Sequence, residues 1–422
     1  MKIWRPYTQM QTALEPLSLI KAEGAYLYTE KKQKIFDGIS SWWLITHGHS
    51  HPQIVEAISR QSQKLSQAVF ANFSHEPAEQ FAELLQEVLP QNLNRLFFSD
   101  NGSTAVEVAM KMAYQYMQQS GFNKKTKFIA FANSYHGDTC GAMSVSADGV
   151  YTQAYKNLKF DIFRCQQGQS VQDPLEKWVS DFKKCVTENH EEVCAVLIEP
   201  LLQGAGGMLV WPIEAIQQIV TVARQYGILV IFDEVMTGFG RTGTLFAFEQ
   251  VGHVPDFLCL SKGVTAGFLP MGLTVTTQQI YEAFLDSDPQ KMFFHGHSFT
   301  GNALSCAAAA ANLQIFKEEQ TLNKISVIQQ THQHCLQQMK TNQNIQSKIK
   351  EIRTCGAVGV LELNSEHSYA GLSSQIWMQK SLEKNLFLRP LGSVIYLMPP
   401  YCADVQDIEQ AWAHIGEIIE SL

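Results

Sequence analysis

Four short segments hold residues whose types could do chemistry. Lys262 stands in Ser261-Lys262-Gly263, just after an apolar run. A lysine drawn into a pocket can shed its proton and attack a carbonyl as a free amine. Asp233-Glu234-Val235 follows another apolar run, and an acid there is costly to bury unless a cation or donor meets it. Ser99-Asp100-Asn101-Gly102-Ser103-Thr104 precedes a helical pattern. Gly102 would let the backbone approach a ligand, and Ser103 or Thr104 could cap a helix whose free N–H groups and dipole favour an anion. Tyr135-His136-Gly137-Asp138 offers an aromatic that could wall a pocket. Each has a plainer reading: a solvated lysine, a helix cap or buried ion pair, an ordinary capped turn, a satisfied loop.

The apolar runs before these segments must position them. Residues 95–98, 127–131, 193–198, 228–232, 256–260 and 272–276 are mostly apolar on both faces, as strands covered by helices are. Segment 103–119 has apolar residues at 105, 108, 109, 112, 113 and 116, the spacing of an amphipathic helix. The alternation predicts an α/β layer fold with a mostly parallel sheet. Ligands of such sheets gather at the carboxyl ends of the strands, where all four segments lie. After 303 an Ala-rich helix, a polar Gln-rich stretch (329–346) and short strands near 356–363 and 393–398 predict a smaller α+β unit. The expected division is 1–47 as an N-terminal segment joining the small domain, 48–302 as the large domain and 303–422 as the small one.

Composition narrows the function. Hydrophobic residues are 45% and charged residues 17%, enough apolar content for large cores, which excludes a disordered chain. Lys and Arg number 32 against 40 Asp and Glu, and the net charge of −8 gives no reason to expect nucleic acid or an anionic membrane as partner. No apolar run approaches the roughly 18 residues of a membrane span, and the start carries no apolar leader. The nine cysteines form no Cys-x-x-Cys pair and no zinc-type spacing, so reduced thiols in a cytoplasmic protein are expected. His47, His49 and His51 alternate but lack an acidic or thiol partner motif; they are read as solvated loop histidines, and no metal is expected.

An anion cup, an acid and a lysine on successive strand ends are together what pyridoxal phosphate needs. Its phosphate takes a helix N-terminus, its pyridine nitrogen an acid, and its aldehyde a lysine. The run Ile231-Phe232-Asp233-Glu234-Val235-Met236-Thr237-Gly238-Phe239-Gly240-Arg241-Thr242-Gly243, followed by Leu260-Ser261-Lys262-Gly263, resembles the class III (fold type I) pyridoxal-phosphate aminotransferases. That family's Ser-Gly-Ser phosphate turn stands here as Asn101-Gly102-Ser103. Its Tyr-His-Gly motif is Tyr135-His136-Gly137, and its Glu-Pro strand end is Glu199-Pro200. The resemblance covers nearly the whole chain. Trp4-Arg5-Pro6-Tyr7-Thr8-Gln9-Met10, Asp37-Gly38-Ile39-Ser40-Ser41-Trp42-Trp43 and Ile395-Tyr396-Leu397-Met398-Pro399-Pro400-Tyr401 are similar to one branch of the family. That branch moves an amino group from S-adenosylmethionine to the ketone of 8-amino-7-oxononanoate in biotin biosynthesis.

The resemblance implies a fold type I transferase: a large domain with a mostly parallel, helix-covered sheet, a smaller α+β domain, pyridoxal 5'-phosphate as cofactor, and a homodimer with shared sites. Lys262 would bond the cofactor's aldehyde and shuttle protons, and Asp233 would pair with the ring nitrogen. Gly102 and Ser103 would hold the phosphate, and Tyr135 would stack on the ring. Gly296, His297 and Ser298 match the Gly-Pro-Thr that reaches the phosphate of the neighbouring subunit. His297 replaces proline and gives up its fixed φ, while Ser298 keeps the hydroxyl. Tyr7, Trp42, Trp43 and Tyr396 would line the substrate site, with Tyr7 near the chemistry, and Arg389 would bind the substrate carboxylate. Trp42-Trp43 could instead be core, and Arg389 a surface residue, although Leu388 and Pro390 flank it. The rivals are a lysine-dependent version of the same step, an ω-amino acid transaminase and, from another class, a cofactor-sensing regulator. A regulator of that kind should carry a basic DNA-binding module, and none is seen.

Overall fold

The computed structural model describes residues 3–364 and 372–422; residues 1–2 and 365–371 of the expected 1–47 and 303–422 units lie outside them. Near the N-terminus β1 (Leu19–Glu23), β2 (Tyr26–Thr29) and β3 (Lys34–Asp37) form an antiparallel ladder. The large sheet starts with β4 (Leu93–Ser99), β5 (Lys127–Phe131), β6 (Phe163–Cys165) and β7 (Val193–Ile198). A two-residue hairpin, β8 (Leu202–Gln203) and β9 (Leu209–Val210), interrupts it before β10 (Leu229–Asp233), β11 (Phe257–Leu260) and β12 (Gly272–Thr277). The C-terminal part adds β13 (Ile349–Cys355), β14 (Val358–Leu363), β15 (Leu386–Phe387) and β16 (Val394–Leu397).

The large sheet runs β4-β12-β11-β10-β7-β5-β6, and every strand except β12 is parallel. The parallel strands need no alternation of polar and apolar residues because both faces are covered. All six residues of β7 are buried, as are all four of β11. The helix Gly102–Gln119 buries Ala105, Val108, Ala109, Met112 and Ala113 against the sheet. The helices Leu175–Asn189 and Ile213–Gln225 contribute Trp178, Phe182, Ile216 and Ile219 to the core on the sheet's other side.

The C-terminal strands β13, β14 and β16 make a separate antiparallel sheet. β15 leaves it and pairs in parallel with β3 of the N-terminal ladder. The Asn302 side chain caps the helix Ala303–Glu318. That helix packs against the earlier helices Pro52–Ser62 and Glu76–Val88, and its alanines allow the close approach. Among the described residues, no helix is long and apolar enough to cross a membrane.

The solvated reading of the three alternating histidines is overturned. His47 is buried against Phe316 and Tyr401, and burial pushes its pKa down to about 3. His49 Nε2 lies 2.8 Å from Asp37 Oδ2, and His51 Nε2 lies 3.0 Å from Glu319 Oε1. The partners of His47 and His51 are remote in sequence, so local spacing could not reveal them; Asp37 lies only 12 residues before His49. Among the described residues, no group of three or more His, Cys, Asp and Glu side chains is placed to hold a metal ion.

Candidate active site at the carboxyl ends of the parallel strands

Because β4, β5, β7, β10 and β11 are parallel, the segments that follow them converge at one edge of the sheet. After β4 the chain turns into the helix Gly102–Gln119. The cap is Asn101, not Ser103 or Thr104 as expected from the sequence: its Oδ1 accepts the Thr104 N–H at 3.0 Å, and Thr104 Oγ1 accepts the Asn101 N–H at 3.0 Å. This reciprocal box uses the N–H of Thr104 and leaves those of Gly102 and Ser103 for an anion. The turn is tightly enclosed. A Cβ on Gly102 would lie 2.6 Å from Val235 Cγ1, and one on Gly272 would lie 2.2 Å from the Asn101 carbonyl oxygen. Ser103 Oγ accepts the Asp138 N–H at 3.2 Å, which ties the turn to the Tyr135-His136-Gly137-Asp138 loop.

The acidic pair after β10 divides its work. Glu234 accepts the N–H groups of Ala247 and Phe248 at 2.7 and 2.8 Å and so caps a short helix, while burial pushes its pKa up to about 8. Asp233 is buried at the sheet edge. Its Oδ1 accepts the Val235 N–H at 3.0 Å, and its Oδ2 lies 2.7 Å from His136 Nδ1. His136 Nε2 is buried without a hydrogen-bond partner. Glu199, at the end of β7, accepts the Tyr135 N–H at 2.8 Å and the Gly204 N–H at 3.0 Å, and burial raises its pKa to about 7.

Lys262 begins the turn after β11 with φ +37, a left-handed conformation unusual for a residue with a side chain. Its ammonium nitrogen lies 5.2 Å from the centre of the Trp43 ring. Burial lowers its pKa, and the charges of Asp233 and Glu199 oppose that shift. The outcome is an amine that gives up its proton more readily than a surface lysine does.

The wall opposite is built on a strained turn. Ser40, Ser41, Trp42 and Trp43 all have φ between +46 and +75. Each such residue costs about 1–2 kcal/mol, so neighbours must hold the turn. Asp37 accepts the Ser41 N–H at 2.9 Å and the Ser41 hydroxyl at 2.7 Å, while Ser40 Oγ donates to Met398 O at 2.7 Å. The turn sends the two tryptophans to different places. Trp43 is buried, with its Nε1 donating to Tyr396 OH at 2.9 Å. Trp42 stacks under the Arg389 guanidinium, 4.4 Å from ring centre to Cζ. Tyr7 docks edge-on to Trp42, its hydroxyl 3.2 Å from Tyr135 OH and bonded to the Asp138 carboxylate. Beside Trp42 and Arg389 lies a cavity of about 670 Å³, lined by Ile39, Phe387 and Leu382 and by Leu14 and Leu17 of the N-terminal arm.

Lys262, Trp43 and Tyr396 therefore form one group of contacts, and Arg389, Trp42, Tyr7 and Tyr135 form a second; the Trp42–Trp43 peptide joins the two. Gly296 and Ser298 stand apart and exposed, and His297 Nδ1 lies 3.3 Å from Asp100 Oδ2 of the same chain. Sequence reasoning assigned no role to His136, Glu199 or Arg241, although all three lie in the quoted motifs. Arg241 is buried, stacks on Tyr401 and donates to Ile45 O at 2.8 Å, fixing the exit of the strained turn. Glu199 was hinted at by its place after the apolar run 193–198, whereas His136 and Arg241 stand among glycine, serine and threonine residues and carried no such hint.

The family model described as aminotransferase class-III matches residues 8–419. Two proteins named adenosylmethionine-8-amino-7-oxononanoate aminotransferase are similar along their length. The one from Synechococcus elongatus is 38% identical, covering 100% of this chain and 99% of its own. The one from Helicobacter pylori is 36% identical, covering 100% and 96%. The crystal structure of the enzyme so named from Methanocaldococcus jannaschii superposes with a TM-score of 0.92 at 33% identity, covering 99% of this chain and 97% of that one. An amine transaminase from an uncultivated Pseudomonas species, with pyridoxal phosphate bound, also reaches a TM-score of 0.92, at 28% identity. The strand-end lysine, its acid and the phosphate-ready turn thus sit in the fold shared by these transaminases, and the chain belongs to the class III aminotransferases.

Proposed function

We propose that the chain transfers the amino group of S-adenosylmethionine to the ketone of 8-amino-7-oxononanoate, giving 7,8-diaminononanoate in biotin biosynthesis, with pyridoxal phosphate as cofactor. One observation carries the reading. The three segments that resemble the biotin branch, 4–10, 37–43 and 395–401, are far apart in sequence yet in contact: Tyr7 packs edge-on against Trp42, and Trp43 bonds Tyr396 and lies 5.2 Å from the Lys262 ammonium nitrogen. The residues present also fit the cofactor. Gly102 and Ser103 offer free N–H groups, Asp233 offers a carboxylate steadied by His136, and Lys262 offers an amine of lowered pKa.

When bound, pyridoxal phosphate supplies an aldehyde that takes up amines and a cationic ring that accepts electrons as the donor's Cα–H bond breaks. Asp233 would hold the ring nitrogen's proton, and the 2.7 Å contact with His136 orients the carboxylate. Lys262 would hold the aldehyde and, as a free amine of lowered pKa, would be the group that carries the donor's Cα proton. Tyr7, Trp42 and Tyr135 exclude water. Arg389 pairs with the carboxylate of each substrate in turn, and the apolar cavity beside it accepts the oxononanoate chain. Donor and acceptor use the same site alternately, a ping-pong sequence.

A homodimer with shared sites is part of this proposal. Phe294 and Phe299 flank Gly296-His297-Ser298 and are each 64% exposed, and Phe73 nearby is 63% exposed, an apolar rim that a second copy would cover. Ser298 would then reach the partner's phosphate. The division into 1–47, 48–302 and 303–422 and a cytoplasmic setting, consistent with nine free cysteines, belong to the same reading. The test is to mix the cofactor-loaded protein separately with S-adenosylmethionine, lysine and alanine and follow the visible absorption band. Conversion by S-adenosylmethionine alone is expected. Conversion by lysine, or by a simple amine, in its place would move the chain to a rival branch.

A further inference from the structure

The loop joining β8 to β9, residues 204–208, is wedged against two parts of the site. A Cβ on Gly204 would lie 2.3 Å from Met236 Sδ and 3.2 Å from Trp43 Cζ3, and one on Gly206 would lie 2.1 Å from the Asn133 carbonyl oxygen. The loop backbone therefore touches the Trp43 layer beneath Lys262 on one side and the loop that carries Tyr135 on the other. It is bonded to the site as well. Gly204 N–H donates to one oxygen of Glu199 at 3.0 Å, and the other oxygen accepts the Tyr135 N–H at 2.8 Å.

This loop does not hold its shape by local forces alone. Gly207 has φ +100 and Met208 has φ +51, and Met208 has no glycine's freedom there. Arg353 of β13 supplies the restraint from the C-terminal sheet. Its Nε donates to Met208 O at 3.1 Å and its Nη2 to Gly207 O at 3.0 Å, while its Nη1 meets Glu351 at 3.0 Å and Glu362 at 2.6 Å. The guanidinium is buried, and the second acid is shared with Lys350 at 2.6 Å, so the charges are matched. A planar fork can grip two successive carbonyls along one edge and acids at the other end, which a lysine's single nitrogen cannot do.

We infer that Arg353 is a positioning residue for the transamination site: it pins loop 204–208 and, through Gly204 and Glu199, sets the place of Tyr135 and of the Trp43 floor. The inference rests on the reading of the site given above. Arg353→Lys tests it, because the charge stays and the fork is lost. The variant should keep its far-ultraviolet circular dichroism and its oligomeric state. Amide hydrogen exchange at Gly204 and Tyr135 should speed up, and the visible circular dichroism of bound pyridoxal phosphate should weaken. Its kcat/KM should fall roughly 10- to 100-fold, the scale of a misplaced reacting group. If Arg353→Lys does not fold, Glu362→Gln, which loosens the guanidinium without removing it, carries the same test. Exchange and dichroism equal to wild type in a folded variant would overturn the clamp while leaving the site reading intact. A wild-type protein that takes up no pyridoxal phosphate would overturn the site reading, and the clamp with it.

Discussion

Asp233→Asn removes a charge at nearly constant volume. In the wild type, Oδ1 takes the Val235 N–H at 3.0 Å and Oδ2 faces His136 Nδ1 at 2.7 Å. The amide oxygen must stay on the Val235 N–H, so the new –NH2 turns toward His136, where two donors meet. His136 can yield only by moving its proton to Nε2, which is buried without a partner. The loss is one charge-assisted hydrogen bond, ~1.5–3 kcal/mol, or roughly one to two decades in an equilibrium or rate. Pyridoxal phosphate should bind about 10-fold more weakly, and exchange of the donor's Cα proton should slow about 100-fold, because the ring charge matters most in the transition state. The lysine gives a second reading. Asp233 helps to raise the pKa of Lys262, so the variant's lysine should lose its proton at a lower pH than the wild type's. Spectral titration of cofactor-stripped protein measures the first quantity, and loss of the Cα–H resonance in heavy water measures the second. An exchange rate equal to wild type at full cofactor loading would refute the role given to Asp233.

Three further outcomes are expected. Lys262→Ala should retain pyridoxal phosphate through its phosphate contacts yet lose the lysine-dependent visible band and essentially all turnover; near-normal turnover without added amines would contradict the assignment. Arg389→Ala should slow both half-reactions in single-turnover kinetics, by the ~2–5 kcal/mol of a severed buried charge pair, with Arg389→Lys in between; two unchanged half-reactions would make Arg389 structural. The third outcome concerns acid stability. His332 Nδ1 accepts from Trp412 Nε1 at 2.9 Å and Nε2 donates to Ala357 O at 3.2 Å, and burial pushes its pKa down from 6.5 to about 4. As pH falls below 6.5 the unfolded chain takes up a proton first, so stability is lost from there down to about 4, and the gap is worth roughly 3 kcal/mol. The unfolding temperature of His332→Gln should therefore drop less steeply over that range than the wild type's, and parallel curves would sink the argument.

The central strands could be read from the sequence to within a residue or two, because burial on both faces leaves an unbroken apolar run, as in Val193–Ile198. The chemistry at their ends could be read for a related reason: an acid or lysine next to such a run is conspicuous. What escaped was set by distant partners. Phe163–Cys165 is too short to carry a pattern, and it is a strand because β5 lies beside it. Asn101 won the cap because its side chain and that of Thr104 bond reciprocally, which composition does not rank above a serine. His47 and His51 looked solvated because their partners, Phe316 and Glu319, come some 270 positions later; the acid that meets His49, Asp37, stands 12 residues before it and was passed over. The left-handed turn at Ser40–Trp43 carries no glycine to announce it.

The pairing of β3 with β15 has a consequence for how the protein is made. Leu386 must find Phe36, and Phe387 must find Asp37, across some 350 residues of intervening chain. During synthesis the large sheet, with Asp233 and Lys262 at its edge, is complete long before β15 leaves the ribosome. Contacts of such sequence separation are the slow ones to form. The proposed substrate wall needs both ends of the chain, because Trp43 meets Tyr396 and Trp42 meets Arg389. A nascent chain therefore completes the sheet edge that carries Asp233 and Lys262 early and the proposed substrate wall last.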